Sequence, residues 1–218
     1  MTGEPFIRWS WIAGHLGDIW MRTLQHLELT GLAVGIGFVI AMALSLVALR
    51  RRVSYTPITW FAGVLYTIPS IALFALLVPA TGLSTTTAEI GLVSYTLLVL
   101  VRNIVAGVDG VPASVRDAAV AMGYRRWRML LEIELPLAAP VIIAGVRIAT
   151  VSTVGLVTIT ALIGQGGYGY FIDDGLRRFF NTPLFVGAVL SVALAVALDV
   201  ALVAVERALT PWARRRAA

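Results

Sequence analysis

The sequence predicts an all-α membrane protein with five membrane-spanning helices, and two properties of the 218-residue chain support this. Hydrophobic residues make up 59% of the chain and charged residues only 13%, whereas soluble domains are roughly half apolar and a quarter charged. The apolar residues are gathered into long segments, and a helix needs about 20 of them to cross the hydrocarbon core. The predicted spans are residues 27–49, 57–79, 88–106, 137–163 and 184–205.

The stretch before the first span, residues 6–25, mixes tryptophans with polar residues. Such an amphipathic stretch is typical of a helix lying in the membrane interface, and a disordered extension with a few anchoring side chains is the alternative. Glu4 and Asp18 interrupt the first twenty residues, which therefore lack the apolar core of a cleavable signal peptide. We expect a single transmembrane domain over residues 1–218, with its core at about 23–206.

Two of the predicted spans contain residues that suit a transport pathway. Pro69 lies near the middle of the second span, where proline frees a backbone carbonyl and kinks a helix. The fourth span is rich in small and hydroxyl-bearing residues, which favour close helix packing in lipid and could equally line a hydrated path. Packing is the simpler explanation for any one of them. The candidate pathway residues are Pro69, Ser152, Thr153 and Thr158.

No constellation of residues in the sequence predicts catalysis or a bound metal. The chain has no cysteine, its two histidines lack metal-ligand spacing, and the glycines of residues 164–169 are not followed by the Lys-Ser/Thr of a phosphate-binding loop. Asp199 lies deep in the fifth span, where a carboxylate is by default a functional candidate. We favour a structural ion pair for it, with Arg102 or Arg147 as partner.

The arginines predict how the chain sits in the membrane. The net charge is +5, but the arginines cluster at the ends of apolar segments, which indicates topology rather than nucleic-acid binding. Segments on the side of the central loop hold Arg50, Arg51, Arg52, Arg116, Arg125, Arg126, Arg128, Arg214, Arg215 and Arg216, and those on the other side hold Arg8, Arg22, Arg177 and Arg178. Because arginine accumulates in cytoplasmic segments, we expect the N-terminus outside and the C-terminus in the cytoplasm.

The central loop, residues 108–136, is the longest polar interruption between the spans. Its sequence from Val111 to Pro136, VPASVRDAAVAMGYRRWRMLLEIELP, predicts a short helix-turn-helix over residues 113–122 and 125–134, with Gly123 at the bend. Its small residues would let another protein approach the backbone closely. The loop residues that carry this pattern are Asp117, Ala118, Ala119, Gly123, Ile133, Leu135 and Pro136.

This spacing resembles the EAA motif of type I ABC importer permeases, in which Glu-Ala-Ala is followed by a glycine and then by Ile-x-Leu-Pro. Asp117 replaces the usual glutamate, which keeps the charge and shortens its reach. The resemblance implies an ABC type-1 transmembrane domain in the lipids of a bacterial inner membrane, with a cytoplasmic coupling helix that docks on a separate ATPase. ATP and magnesium would then be bound by that ATPase. The other implied partners are a second permease copy or paralogue and an extracytoplasmic solute-binding protein.

Other phrases resemble the osmoprotectant branch of these permeases, which imports glycine betaine, carnitine, choline or proline. They are TIPS at 67–70, RN at 102–103, AGVR at 144–147 and IGQGG at 163–167. Tyr168 departs from this branch, in which a smaller aliphatic residue usually follows the glycine pair. The resemblance implies that the outer loop, residues 164–182, meets the binding protein, and the candidate contacts are Gly166, Gly167, Tyr168, Asp173 and Asp174.

Two other functions remain open from the sequence. A permease for methionine or another small amino acid belongs to the same superfamily, and five spans with this loop position fit it as well. A membrane channel or scaffold without an ATPase partner belongs to a different class. A copurifying ATPase would distinguish either permease from the channel or scaffold.

Overall fold

The predicted all-α architecture is confirmed by a computed structural model, which describes residues 6–212. The helices are α1 (Trp9–Gly14), α2 (Leu16–Arg50), α3 (Tyr55–Thr67), α4 (Ser70–Thr81), α5 (Thr85–Asp109), α6 (Ala113–Ala121), α7 (Arg126–Met129), α8 (Leu135–Ile159), α9 (Gly169–Arg178) and α10 (Asn181–Leu209). A π-helical turn, Leu130–Glu134, joins α7 to α8. Arg214, Arg215 and Arg216, which we counted on the cytoplasmic side, lie outside the described residues.

Four helical segments within residues 6–212 are long and apolar enough to cross a membrane, or five if one bent pair counts as a span. The predicted interfacial stretch before the first span does not form one separate helix. It is divided between the short α1 and the beginning of α2, which runs without a break for 35 residues. Because α2 is longer than a bilayer core requires, it projects beyond the apolar layer.

The second predicted span, residues 57–79, is broken rather than only kinked. Helices α3 and α4 meet at an angle of 96°, and Pro69 stands between them. Proline excludes the residue before it from the helical conformation, and Ile68 accordingly has an extended backbone. The carbonyl oxygen of Ile68 accepts a hydrogen bond from the hydroxyl of Tyr95 on α5. The break is thereby fixed to the neighbouring helix.

Helix α5 lies at the centre of the bundle, where it packs against both α2 and α8. Close packing with α8 depends on Gly145, because a Cβ there would lie 2.5 Å from the Cβ of Asn103. Small residues at such crossings let helices approach closely in lipid. One apolar cluster fills the half of the bundle nearer the central loop, and it includes Ala41, Leu100, Val101, Ile104, Val105 and Ala149.

The polar loops gather at two opposite ends of the bundle. At the end that carries the central loop, Arg52 donates to Asp109 at 2.8 Å and Arg126 donates to the carbonyl of Leu49 at 3.1 Å. At the other end, the hydroxyl of Thr85 donates to the side chain of Gln165. This grouping matches the two-sided arrangement that the arginines predict.

Candidate coupling loop and translocation cavity

The predicted bend at Gly123 is a Schellman turn that ends α6. The N–H of Tyr124 donates to the carbonyl of Ala119 at 3.0 Å, and the N–H of Gly123 donates to that of Val120 at 2.9 Å. Gly123 has a φ of +80°, a conformation that costs other L-residues about 1–2 kcal/mol. A Cβ at this position would meet nothing within 4 Å. Glycine is therefore required here by the backbone and not by crowding within the chain.

Helix α6 presents one side to solvent and one to the protein. Asp117 and Ala118 are exposed, whereas Ala119 is fully buried. Two apolar side chains on the exposed side, Val120 and Met122, are 62% and 69% accessible. This surface combines a carboxylate, a small residue and exposed apolar groups, which together suit contact with another protein.

The second half of the predicted helix-turn-helix does not form a separate helix. Residues 126–134 pass through α7 and the π-helical turn directly into α8. Ile133 lies half-buried in the π-helical turn, and Leu135 packs against the core at the start of α8. Pro136 is exposed at the start of α8, directly after the π-helical turn. This segment is therefore continuous with a membrane-spanning helix.

Arg116 connects the coupling helix to two membrane-spanning helices, a role that the sequence reasoning missed. Its Nε donates to Glu134 Oε1 at 2.6 Å, and its Nη2 donates to the carbonyl of Val108 at 2.6 Å. Val108 lies at the end of α5 and Glu134 at the entry to α8. Glu134 is only 8% exposed, and a carboxylate so buried requires a partner. Glu134 lies eighteen residues after Arg116, and nothing in the sequence alone indicates that the two side chains form a pair.

A cavity of about 510 Å³ lies at the break between α3 and α4. Three of the four candidate pathway residues line it, namely Pro69, Ser152 and Thr153. Thr158 does not, because its hydroxyl is bonded to the carbonyl of Gly155 and its backbone lies against α9. The cavity is therefore formed by the proline break together with the middle of α8.

Two tyrosines also line the cavity, and they are not among the pathway residues that the sequence predicts. Their rings, those of Tyr66 and Tyr95, meet edge-on with centroids 6.0 Å apart. Tyr95 is buried, whereas Tyr66 is 43% exposed. The Tyr95 hydroxyl holds the Ile68 carbonyl, so the same side chain fixes the break and lines the cavity. The sequence does not predict that the two rings share a cavity, because their proximity depends on the break between α3 and α4 at Pro69.

At the opposite end, Gly166, Gly167 and Tyr168 are buried rather than displayed. The segment closes over His26 of α2, which is also fully buried. A Cβ on Gly167 would lie 2.6 Å from that of His26, so only glycine fits. The N–H of Tyr168 donates to His26 Nδ1 at 3.3 Å, which leaves Nε2 to donate to the Val154 carbonyl at 3.1 Å. These three residues hold the loop in place from within.

The exposed part of the outer loop is the end of α9. Asp173 and Asp174 are each paired with the arginine four residues later. Phe179 follows them with a φ of +53° and is 96% exposed. A bulky residue in the left-handed region is an outlier that suggests function. Any partner at this end would contact exposed residues such as Phe179, because Gly166 and Gly167 are buried.

The expected ion pair of Asp199 is present, and its partner is Arg147 rather than Arg102. Arg147 Nε and Nη2 donate to the two carboxylate oxygens of Asp199 at 2.8 and 3.0 Å. Arg147 Nη1 also lies 3.4 Å from Glu206. In the part of the chain that the structure describes, no group of His, Asp or Glu residues is arranged to hold a metal.

The described residues form an apolar helical bundle with an exposed loop helix at one end and a cavity at a broken helix. The match to a solved structure supports this fold. The methionine ABC transporter MetNI in an inward-facing conformation superposes with a TM-score of 0.76, at 21% identity over 88% of this chain and 96% of that one.

The chain belongs to the family described as binding-protein-dependent transport system inner membrane component, whose model matches residues 33–211. It is 36% identical to the osmoprotectant import permease OsmW of Salmonella typhimurium, over 91% of this chain and 94% of that protein. It is 31% identical to the glycine betaine/carnitine/choline transport system permease OpuCB of Bacillus subtilis, over 89% and 90%. The protein is thus a permease subunit of an ABC importer. ATP hydrolysis belongs to a separate ATPase, and this membership decides against a channel or scaffold.

Proposed function

We propose that the protein imports a small compatible solute bearing a quaternary ammonium group, such as glycine betaine, carnitine or choline. The observation that carries this is the cavity lined by Tyr66 and Tyr95 at the Pro69 break. Aromatic rings bind quaternary ammonium groups through cation–π attraction, and about 300–1,000 Å³ is the usual size of a small-molecule site. The relatives named for osmoprotectant, glycine betaine, carnitine and choline transport support the same solute class. Proline, which the branch also imports, lacks the quaternary group that this cavity suits.

The exposed side of α6 is the proposed docking surface for the ATPase. Asp117, Ala118 and the Gly123 turn would enter a groove of the ATPase, and Val120 and Met122 would add apolar contact. Gly123→Arg tests this assignment against Gly123→Ala, because both variants carry the same backbone strain and a Cβ there meets nothing within 4 Å, but only the arginine would obstruct a closely fitting partner. For the arginine variant we expect normal membrane abundance and loss of the copurifying ATPase. Normal copurification and uptake by the arginine variant would contradict the assignment.

The proposed contact with the binding protein lies on the exposed end of α9. Asp173 and Asp174 would order this helix through their ion pairs, and Phe179 would project toward the partner. Gly166, Gly167 and Tyr168 would hold the loop against α2. In this proposal the binding protein and the N-terminus lie outside, and the coupling loop and the C-terminus lie in the cytoplasm.

The functional assembly would comprise two permease subunits in the inner membrane, either two copies of this chain or this chain with a paralogue. Each would use its own α6 to engage one ATPase. The cavity opens to the surface of the single chain, so a second permease and lipid would enclose it. Closure of the ATPase pair would then shift the population between inward-open and outward-open states.

The experiment that tests the proposed function is uptake by a host that lacks its own osmoprotectant importers. The host would express the chain with its ATPase and binding protein, and radiolabelled glycine betaine, choline, methionine and proline would be supplied separately. We expect ATP-dependent uptake of glycine betaine or choline. Uptake of methionine alone would overturn the solute class, and a variant of the ATPase that cannot hydrolyse ATP is the control.

A further inference from the structure

A charged triad lies within the membrane-spanning part of the bundle and is formed by Arg147, Asp199 and Glu206. Arg147 stands about 18 Å along α8 from Leu135, and Asp199 about 15 Å along α10 from Leu209, at 1.5 Å per residue. Both residues thus lie well inside helices that are long and apolar enough to cross a membrane. Such groups are rare at this depth and face the bundle interior or a water-filled path.

The triad is open to the surface of the single chain. The side chains of Arg147, Asp199 and Glu206 are 29%, 33% and 27% accessible. Exposure to lipid would be costly for all three groups. Their accessible sides therefore face water or a second permease.

The triad also lies on the same groove as the tyrosine cavity. A second cavity, of about 460 Å³, is lined by Arg147, Asp199 and a stretch of α8 that includes Ser152. Ser152 also lines the cavity at Pro69. The two cavities therefore adjoin along the exposed side of α8. A solute that leaves the tyrosines toward the central loop meets the triad next.

The triad carries one positive and two negative formal charges. Arg147 uses Nε and Nη2 on Asp199 and only one longer contact on Glu206. Glu206 is therefore the less tightly paired carboxylate, and its charge adds to the field at the groove that Arg147 and Asp199 line. Low dielectric around a groove strengthens the attraction of such a field for a cation.

We propose that this triad is a second station on the translocation path, where its net negative charge attracts the quaternary ammonium group of the solute. This inference rests on the proposed function and adds a selectivity rule to it. Choline carries a net positive charge, whereas glycine betaine is a zwitterion without net charge. The charge of the triad therefore sets the ratio at which the two solutes are carried.

The test measures choline uptake divided by glycine betaine uptake in the same membranes, so that protein abundance cancels. Asp199→Asn removes the excess negative charge, and we expect the ratio to fall by about tenfold. Arg147→Gln increases the negative charge, and the ratio should rise. The double variant, Arg147→Gln with Asp199→Asn, lacks the ion pair but keeps the original net charge, and its ratio should return toward that of the wild type.

The double variant separates this proposal from a purely structural ion pair. A structural pair predicts that uptake of both solutes falls in parallel and that the ratio is the same in every variant, and this result would overturn the inference. Arg52→Gln is the matched control, because it breaks an exposed pair with Asp109 outside the groove, and its ratio should not change. If Asp199→Asn does not accumulate, Arg147→Gln decides alone. A wild-type protein that imports neither solute would overturn the proposed function itself.

Discussion

Replacement of Arg116 by methionine should uncouple ATP hydrolysis from transport while leaving the permease in the membrane. Arg116 holds the ends of α5 and α8 to the coupling helix through two bonds of 2.6 Å. Methionine preserves the aliphatic part of the side chain and removes both donors. Without them, α6 can move without displacing α5 or α8.

The size of the effect follows from the two bonds. A hydrogen bond to a charged group contributes about 1.5–3 kcal/mol, and the side chains of Arg116 and Glu134 are 29% and 11% accessible. Because solvent reaches this pair only in part, we take the lower value for each bond, or about 3 kcal/mol for both. At 1.4 kcal/mol per factor of ten, the connected arrangement should be disfavoured by about a hundredfold.

The assay is reconstitution with the ATPase and the binding protein in proteoliposomes, with uptake and ATP hydrolysis measured on the same samples. We expect the Arg116→Met variant to hydrolyse ATP without its usual dependence on the binding protein, and to lose at least about tenfold in uptake. Arg128→Met is the matched control. Arg128 lies in the same segment and pairs with Glu132, but that pair is exposed, and surface ion pairs contribute little.

A second variant separates coupling from folding. Arg116→Met leaves Glu134 buried and unpaired, which is itself destabilising. Arg116→Met combined with Glu134→Leu removes that charge and should restore the thermal stability but not the uptake. Recovery of uptake in the double variant would refute the reasoning, because the loss would then come from misfolding. Wild-type uptake by the single variant at normal abundance would refute it as well.

Three further predictions concern the outer loop and the core. Phe179→Gly should stabilise the protein by about 0.5–1 kcal/mol, because the strain removed from the left-handed backbone exceeds the conformational entropy that glycine loses on folding. The same variant should weaken the stimulation of ATP hydrolysis by the binding protein. Unchanged stimulation would exclude Phe179 from the contact. His26→Leu should destabilise by about 2 kcal/mol, since the buried N–H of Tyr168 loses its acceptor, and thermal unfolding in detergent would measure this. Gly145→Ala should cost about 1–3 kcal/mol by overpacking against Asn103; an unchanged unfolding midpoint would show that α5 and α8 separate easily.

The fold followed from the sequence to the extent that local rules determine it. Apolar length located the membrane-spanning helices, and the positive φ of Gly123 was predictable because glycine commonly ends a helix in that conformation. The sharpness of the break at Pro69 was not predictable from the sequence. A proline predicts a kink of unspecified size. The observed angle is 96°, and the break is held by a hydrogen bond that the hydroxyl of Tyr95, 27 residues away, donates to the Ile68 carbonyl.

Residues of the candidate site that act across long sequence separations were missed for the same reason. The sequence indicates only that His26 lacks metal-ligand spacing, yet a loop 142 residues later covers it. The family resemblance implies a partner contact for Gly166, Gly167 and Tyr168, yet these residues are buried against His26. Pairings of this kind depend on tertiary packing, which no local pattern encodes.

If α6 docks on the ATPase as proposed, the connection through Arg116 would link it to the cavity. The two helices that Arg116 holds, α5 and α8, are the ones that supply Tyr95, Ser152 and Thr153 to the cavity. They are also packed against each other at Gly145 without space for a Cβ. A displacement of α6 therefore acts on a tightly packed pair, and closely packed elements transmit a small shift over their whole length. Because Tyr95 also holds the Ile68 carbonyl, movement of α5 reaches the break at Pro69.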